Sequence, residues 1–171
     1  MLSGKIIKTS ITSLTVASVL LAAWGCGGDD PTAPETAEFT LSGAKVSIND
    51  QSLNGRNIHQ GEFTDPMRFE ARLADRHGNL IPGGRVEVQF GMPGMMGNMM
   101  NGYTGEFYCY DDGTHGDPVA GDGVYCFVDS VGDYGCHRAG AQLGEYSYEF
   151  CGYDQHGQKS NRMQVEVTLV P

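Results

Sequence analysis

Positive charge is scarce in this chain: Lys and Arg total 11 against 21 Asp and Glu. Lys5 and Lys8 precede the first apolar run, and without them the count is 9 against 21, a net charge of −12. Such a balance repels phosphate backbones and anionic headgroups, so it argues against nucleic-acid binding and against a polybasic membrane contact. Small cations are the natural partners, although excess carboxylates also serve simply to keep a surface soluble. A long apolar run is missing as well. Residues 11–23 are apolar apart from small hydroxyl residues, shorter than the roughly 20 residues that span a bilayer as a helix. Catalytic signatures are absent too: there is no G-x-S-x-G, H-E-x-x-H, Walker loop or dinucleotide fingerprint. His59, His77, His115, His137 and His156 are scattered singly, mostly beside Gly or Asn. The chain is therefore not expected to be an enzyme.

What is present begins with Lys5 and Lys8, the apolar run and then Trp24-Gly25-Cys26, the architecture of an export signal. Gly25-Cys26 resembles the lipobox of bacterial lipoproteins, in which the cysteine is diacylated and the leader is removed before it. Ala23 stands where that family prefers Leu, and Trp24 is bulky for its position. The alternative is ordinary cleavage near Ala23, which leaves Cys26 a free thiol. The resemblance implies a signal peptide over 1–25, lipidation of Cys26, and a membrane contact through the lipid. Gly27 in place of Asp implies delivery to the outer membrane or cell surface. Residues 27–38, GGDDPTAPETAE, have the composition of a flexible tether; the expected division is lipidated cysteine and linker over 26–42 and a folded domain over 43–171.

The folded part reads as strands. In 68–75, Phe69, Ala71 and Leu73 alternate with Arg68, Glu70 and Arg72; in 85–90, Val86, Val88 and Phe90 alternate with Arg85, Glu87 and Gln89. The last window puts Met163, Val165, Val167 and Leu169 on one face. Period-two alternation bounded by Gly, Asn, Asp or Pro predicts half-buried antiparallel strands, whereas no window after the leader shows a helical period. Adding 45–49, 105–110, 123–129 and 145–154 gives seven strands, the complement of a β-sandwich. The order resembles an immunoglobulin-like fold of the kind repeated in bacterial surface proteins, with a strand ending in Asp, the turn Arg76-His77-Gly78-Asn79 and a V-x-V-x-F strand. It lacks the buried tryptophan and the cysteine spacing of antibody domains, since the only Trp is Trp24.

Beyond Cys26 the sequence holds Cys109, Cys126, Cys136 and Cys151, an even number in a chain expected to be exported, where disulfides persist. Strand parity places Cys109 with Phe107, and Cys126 with Val124 and Val128, all inward. It places Cys151 outward, toward the loop of Cys136. The expected pairs are Cys109 with Cys126 and Cys136 with Cys151, each closing a loop of about 15 residues that stabilises by roughly 3 kcal/mol. A tetrathiolate zinc site is the rival, but no C-x-x-C pair is present.

Two segments are candidates for function. Residues 111–125, DDGTHGDPVAGDGVY, concentrate Asp111, Asp112, Asp117 and Asp122 among glycines. Calcium takes six to eight hard oxygen ligands, and closely spaced carboxylates on glycine-permitted turns converge to supply them; the alternative is a long turn in which Asp side chains bond nearby amides. The segment resembles a D-D-G-x-x-G-D-x-x-x-G-D-G-x-Y signature of exported bacterial β-sandwich and anchor-associated domains. Residues 91–102, GMPGMMGNMMNG, hold Met92, Met95, Met96, Met99 and Met100. Thioethers suit Cu(I), and some periplasmic copper carriers combine a β-sandwich with a Met-rich loop; the alternative is an adaptable apolar loop over a sheet edge or partner. Two classes follow: a non-enzymatic, lipid-anchored surface module with a protein or glycan ligand, stabilised by disulfides and calcium, or a periplasmic copper-binding protein.

Overall fold

The computed structural model describes residues 38–93, 105–137 and 140–171, and every regular element among them is a strand. These are β1 (Phe39–Ile48), β2 (Gln51–Ser52), β3 (Arg56–His59), β4 (Met67–Asp75), β5 (Arg85–Gly91), β6 (Gly105–Cys109), β7 (Val124–Asp129), β8 (Gly144–Tyr153) and β9 (Lys159–Val170). They form two sheets, ordered β2-β1-β4-β7 and β3-β9-β8-β5-β6. With the main strands lettered in sequence, β1-β4-β7 is the A-B-E layer and β9-β8-β5-β6 the G-F-C-C′ layer of an immunoglobulin-like sandwich. All seven expected strands are there. β2 and β3 are additional, and β3 runs parallel to β9, from Arg56 opposite Val167 to His59 opposite Val170, a correction to the purely antiparallel expectation.

Alternation explains the core. Phe69, Ala71 and Leu73 of β4 are buried, as are Val86, Val88 and Phe90 of β5 and Tyr146, Tyr148 and Phe150 of β8. Between the layers Phe69 meets Phe107 edge-on at 4.8 Å and Tyr148 at 5.1 Å, while Phe107 lies 4.4 Å from Tyr134. Each such pair contributes about 0.5–1.5 kcal/mol beyond its buried area. The Tyr148 hydroxyl donates to the Tyr134 carbonyl at 3.0 Å, which satisfies the one polar atom that this side chain brings into the core.

β1 starts at Phe39, directly after the residues 27–38 with tether composition, and so takes in residues 39–42 that the expected division gives to the linker. The register against β4 shifts between Ser42 and Lys45, where Gly43 has φ 63°. The shift swaps the inward set from Phe39 and Leu41 to Ala44, Val46 and Ile48, the signature of a bulge.

Three connections share one end of the sandwich: β4–β5, β6–β7 and β8–β9. The antiparallel registers fix this, because Arg72 near the end of β4 lies opposite Val124 at the start of β7, and Arg85 at the start of β5 opposite Tyr153 at the end of β8. Two of the connections are near copies of each other. In Asp75-Arg76-His77-Gly78-Asn79 the Asp75 carboxylate accepts from the amides of His77 (2.7 Å) and Asn79 (2.8 Å). In Asp154-Gln155-His156-Gly157-Gln158 the Asp154 carboxylate accepts from His156 and Gln158, both at 2.8 Å.

Candidate functional site

The β6–β7 loop is the long connection at that end. It leaves β6 by bridging the layers: Tyr110 and Cys126 exchange both backbone hydrogen bonds at 2.8 Å. Asp111 then accepts from the amides of Gly121 (2.6 Å), Asp122 (3.1 Å) and Gly123 (2.9 Å). Asp117, only 5% exposed, accepts from Gly113 at 2.8 Å and Val119 at 3.1 Å. Asp122 accepts from Val124 at 2.8 Å. The path needs left-handed backbone at Gly113, His115, Gly116, Gly121 and Gly123. At Gly116 a side chain would in addition collide with Val128, so glycine is required there.

The result is that carboxylate oxygens of Asp111, Asp117 and Asp122 lie within 4.8 Å of one another. The fourth expected ligand is elsewhere. Asp112 accepts from the Thr114 amide (2.8 Å) and hydroxyl (2.6 Å) and stands 3.7 Å from His115 Nδ1. The Thr114 hydroxyl holds its carboxyl below the usual range. His115 is half-exposed and stacks on Tyr110 with ring centroids 4.1 Å apart.

Arg68 fastens this loop to the outer face of the β1-β4-β7 sheet. Its Nε donates to Glu70 Oε2 at 2.9 Å, its Nη2 to Cys126 Sγ at 2.9 Å and its Nη1 to the Gly116 carbonyl. The Val128 amide adds a bond to the His115 carbonyl at 2.8 Å. Sequence alternation marks Arg68 only as an outward, wet residue, and nothing in the pattern separates it from Arg72.

The expected disulfides are not formed; Cys109, Cys126, Cys136 and Cys151 are all buried free thiols. Cys126 corrects the parity argument. It lies opposite Glu70, on the outer face, whereas Phe127 opposite Phe69 and Tyr125 opposite Ala71 point inward. Its burial comes from the loop and Arg68. Cys109, opposite Val86, does face inward, so the two thiols project to different sides. Cys151 faces outward as expected, between Glu87 and Arg162. Cys136, however, sits in the core against Tyr148, and the alternation of β8 puts Tyr148 and Cys151 on opposite faces. Burial pushes the thiols of Cys126 and Cys136 up to about 11 and raises those of Cys109 and Cys151, so they stay protonated at neutral pH and are poor nucleophiles.

Of the methionine loop, Met92 packs against the core, which is a hydrophobic use of its side chain; Met95, Met96, Met99 and Met100 lie outside the described residues, as does Cys26. Two features escape the sequence reading. One is the second D-x-H-G turn at Asp154, whose signal is its likeness to residues 75–79. The other is Asp129, 3% exposed, which accepts from the amides of Gly132 (2.8 Å), Asp133 (3.0 Å) and Tyr134 (2.7 Å).

Fold and loop together define an all-β, two-layer sandwich with an acidic loop folded over one layer. No protein-family model and no curated protein sequence matches the chain. Among solved structures it is similar to a domain of the outer membrane lipoprotein Omp28 from Porphyromonas gingivalis, at 12% identity and a TM-score of 0.34, covering 79% of this chain and 100% of that one.

Proposed function

We propose that this chain is a non-enzymatic, lipid-anchored module of the bacterial cell envelope, a β-sandwich serving structural or binding roles, whose acidic loop is held by calcium. The observation that carries the calcium part is the convergence of Asp111, Asp117 and Asp122 oxygens within 4.8 Å. Calcium binds hard oxygens, carboxylates and backbone carbonyls alike, in flexible geometry, and the donors brought together here are all of that kind. The ion would be structural: it would offset the repulsion among three carboxylates and fix the loop against β7. The anchoring part is supported by Gly25-Cys26 behind an apolar export signal.

The test is thermal unfolding of the metal-stripped chain with added Ca(II). A ligand that binds only the folded state stabilises by about 2.7 kcal/mol at one hundred times its dissociation constant, so the melting temperature should climb steadily with calcium. Asp117→Asn should abolish the climb. A flat response at millimolar calcium would reduce the loop to a turn shaped by its own amides. For the anchor, the mass of the mature protein from a bacterial host decides: diacylation at Cys26 supports it, and an unmodified or absent Cys26 refutes it.

A further inference from the structure

Between the β6–β7 loop and the β4–β5 connection lies a groove of about 690 Å³. One wall runs from Leu80 to Arg85, the other from Tyr108 to Asp112, and Tyr125 lies at the base. Tyr108 and Tyr110, two residues apart, share the outward face. Leu80 is 47% exposed and both tyrosines are 37% exposed, so three large apolar side chains left open to water meet in one place. Contiguous exposed apolar surface with a polar rim is where soluble proteins bind partners.

The rim states the charge of the partner. The Asp111 carboxylate is consumed by amides; Asp112, beside the tyrosines and 48% exposed, has Oδ1 taken by Thr114 and presents Oδ2, 3.7 Å from His115 Nδ1. Arg85, the basic residue of the lining, has its guanidinium over the Tyr153 ring at 4.9 Å, on the neighbouring strand. His115 stacks on one face of Tyr110 and holds that ring in place. The chain as a whole carries a net charge of −10, which attracts cationic segments and repels acidic ones.

We infer that this groove docks a cationic peptide segment, with the stem of a lysine or arginine across Tyr108 and Tyr110 and its charged head at Asp112. Aliphatic stems of Lys and Arg cover apolar surface while the head stays hydrated, and a cation near tyrosine faces gains further attraction. The inference does not depend on calcium, because Asp112 is outside the three-carboxylate set.

The experiment is a nuclear magnetic resonance titration of the isotope-labelled full chain with tetralysine, and in parallel with tetraglutamate and chitotetraose, each in EDTA and in calcium. Tetralysine should move the resonances of Leu80, Tyr108, Tyr110 and Asp112 saturably in both buffers. Tyr108→Ala and Asp112→Asn should each weaken binding about three- to fivefold, with the remaining spectrum unchanged, and Glu62→Gln, remote from the groove, should not. The inference is overturned if tetralysine shifts spread evenly over acidic residues of the whole surface, if chitotetraose moves the tyrosines in its place, or if nothing moves.

Discussion

The twin turns at Asp75 and Asp154 and the β6–β7 loop stand at the same end of the sandwich and use the same device, an aspartate accepting backbone amide hydrogens. In the turns the reach is two and four residues, each carboxylate works alone, and both acceptor bonds close within one bend. In the loop Asp111 reaches ten to twelve residues ahead, and three carboxylates end within 4.8 Å of one another. Like charges 4 Å apart repel by about 1 kcal/mol in water and about 4 kcal/mol at the effective dielectric of a protein surface. That is as large as the hydrogen bonds shaping the loop, each worth about 1.5–3 kcal/mol when one partner is charged. A local turn is thus self-sufficient, whereas the loop brings together like charges that the turns keep apart. Arg68 pins it from the sheet side through the Gly116 carbonyl and Cys126, and the cation proposed above would offset the repulsion within.

Removing Arg68 breaks that comparison most severely. Arg68→Ala leaves Glu70, Cys126 and the Gly116 carbonyl without their shared donor and should cost about 3 kcal/mol in urea unfolding. Arg68→Lys should recover little, since a lysine lacks the fork that serves three acceptors. A loss below about 0.5 kcal/mol would mean that the loop holds itself. Asp117→Ala comes next. It orphans the Gly113 and Val119 amides and should cost about 2 kcal/mol without metal; the loss should be larger when wild type and variant are compared in calcium. Equal losses in the two buffers would separate the amide role from any ion.

How much of this was legible in the sequence depends on whether a strand has one wet face. β4, β5 and β9 do, and their inward residues can be read directly from alternation. β7 does not: the loop covers its outer face, so Val124-Cys126-Val128 and Tyr125-Phe127 look equally apolar, and parity alone selects the wrong set. On the outer face of β8 Glu145 is exposed while Ser147 and Cys151 are buried; alternation assigns Cys151 to that face correctly, yet it says nothing of Cys136, a loop residue that lies on the core side against Tyr148. β1 hides its first half because the shift near Gly43 breaks the period, and β3 contributes a single buried residue, Ile58. The acidic loop was visible as a concentration of Asp and Gly. Which three carboxylates converge was not, because that depends on Thr114 capturing Asp112 and on Arg68 pinning the Gly116 carbonyl.

A pH series sharpens the contrast by a smaller amount. Burial lowers the His137 pKa from its usual value near 6.5, against the opposing pull of the Asp65 carbonyl and of Asp129 and Asp65, and its buried Nδ1 has no hydrogen-bond partner. The unfolded chain therefore takes up a proton near pH 6.5 that the folded chain refuses. The stability tied to the neutral ring is complete above that pH and is lost as pH falls through the lower folded value. Asp75 and Asp112 are lowered by their own turns, chiefly by Asn79 and Thr114, so their contribution persists until the pH drops below about 4. Urea midpoints from pH 7.5 to 5 should decline in the wild type and stay nearly flat in His137→Gln. An undiminished decline in that variant would move the titration into the acidic loop.

The smallest effect is expected at the turn that resembles the loop most closely in chemistry. Asp154→Ala removes two amide acceptors, the same number that Asp117→Ala removes, yet the freed amides of His156 and Gln158 belong to exposed residues and can turn to water. The cost should be about 1 kcal/mol or less, without dependence on calcium and without effect on the resonances of the β6–β7 loop. If Asp154→Ala proved as costly as Asp117→Ala, burial and convergence would not distinguish the loop from the turns, and the count of amides alone would set the stability of this end of the sandwich.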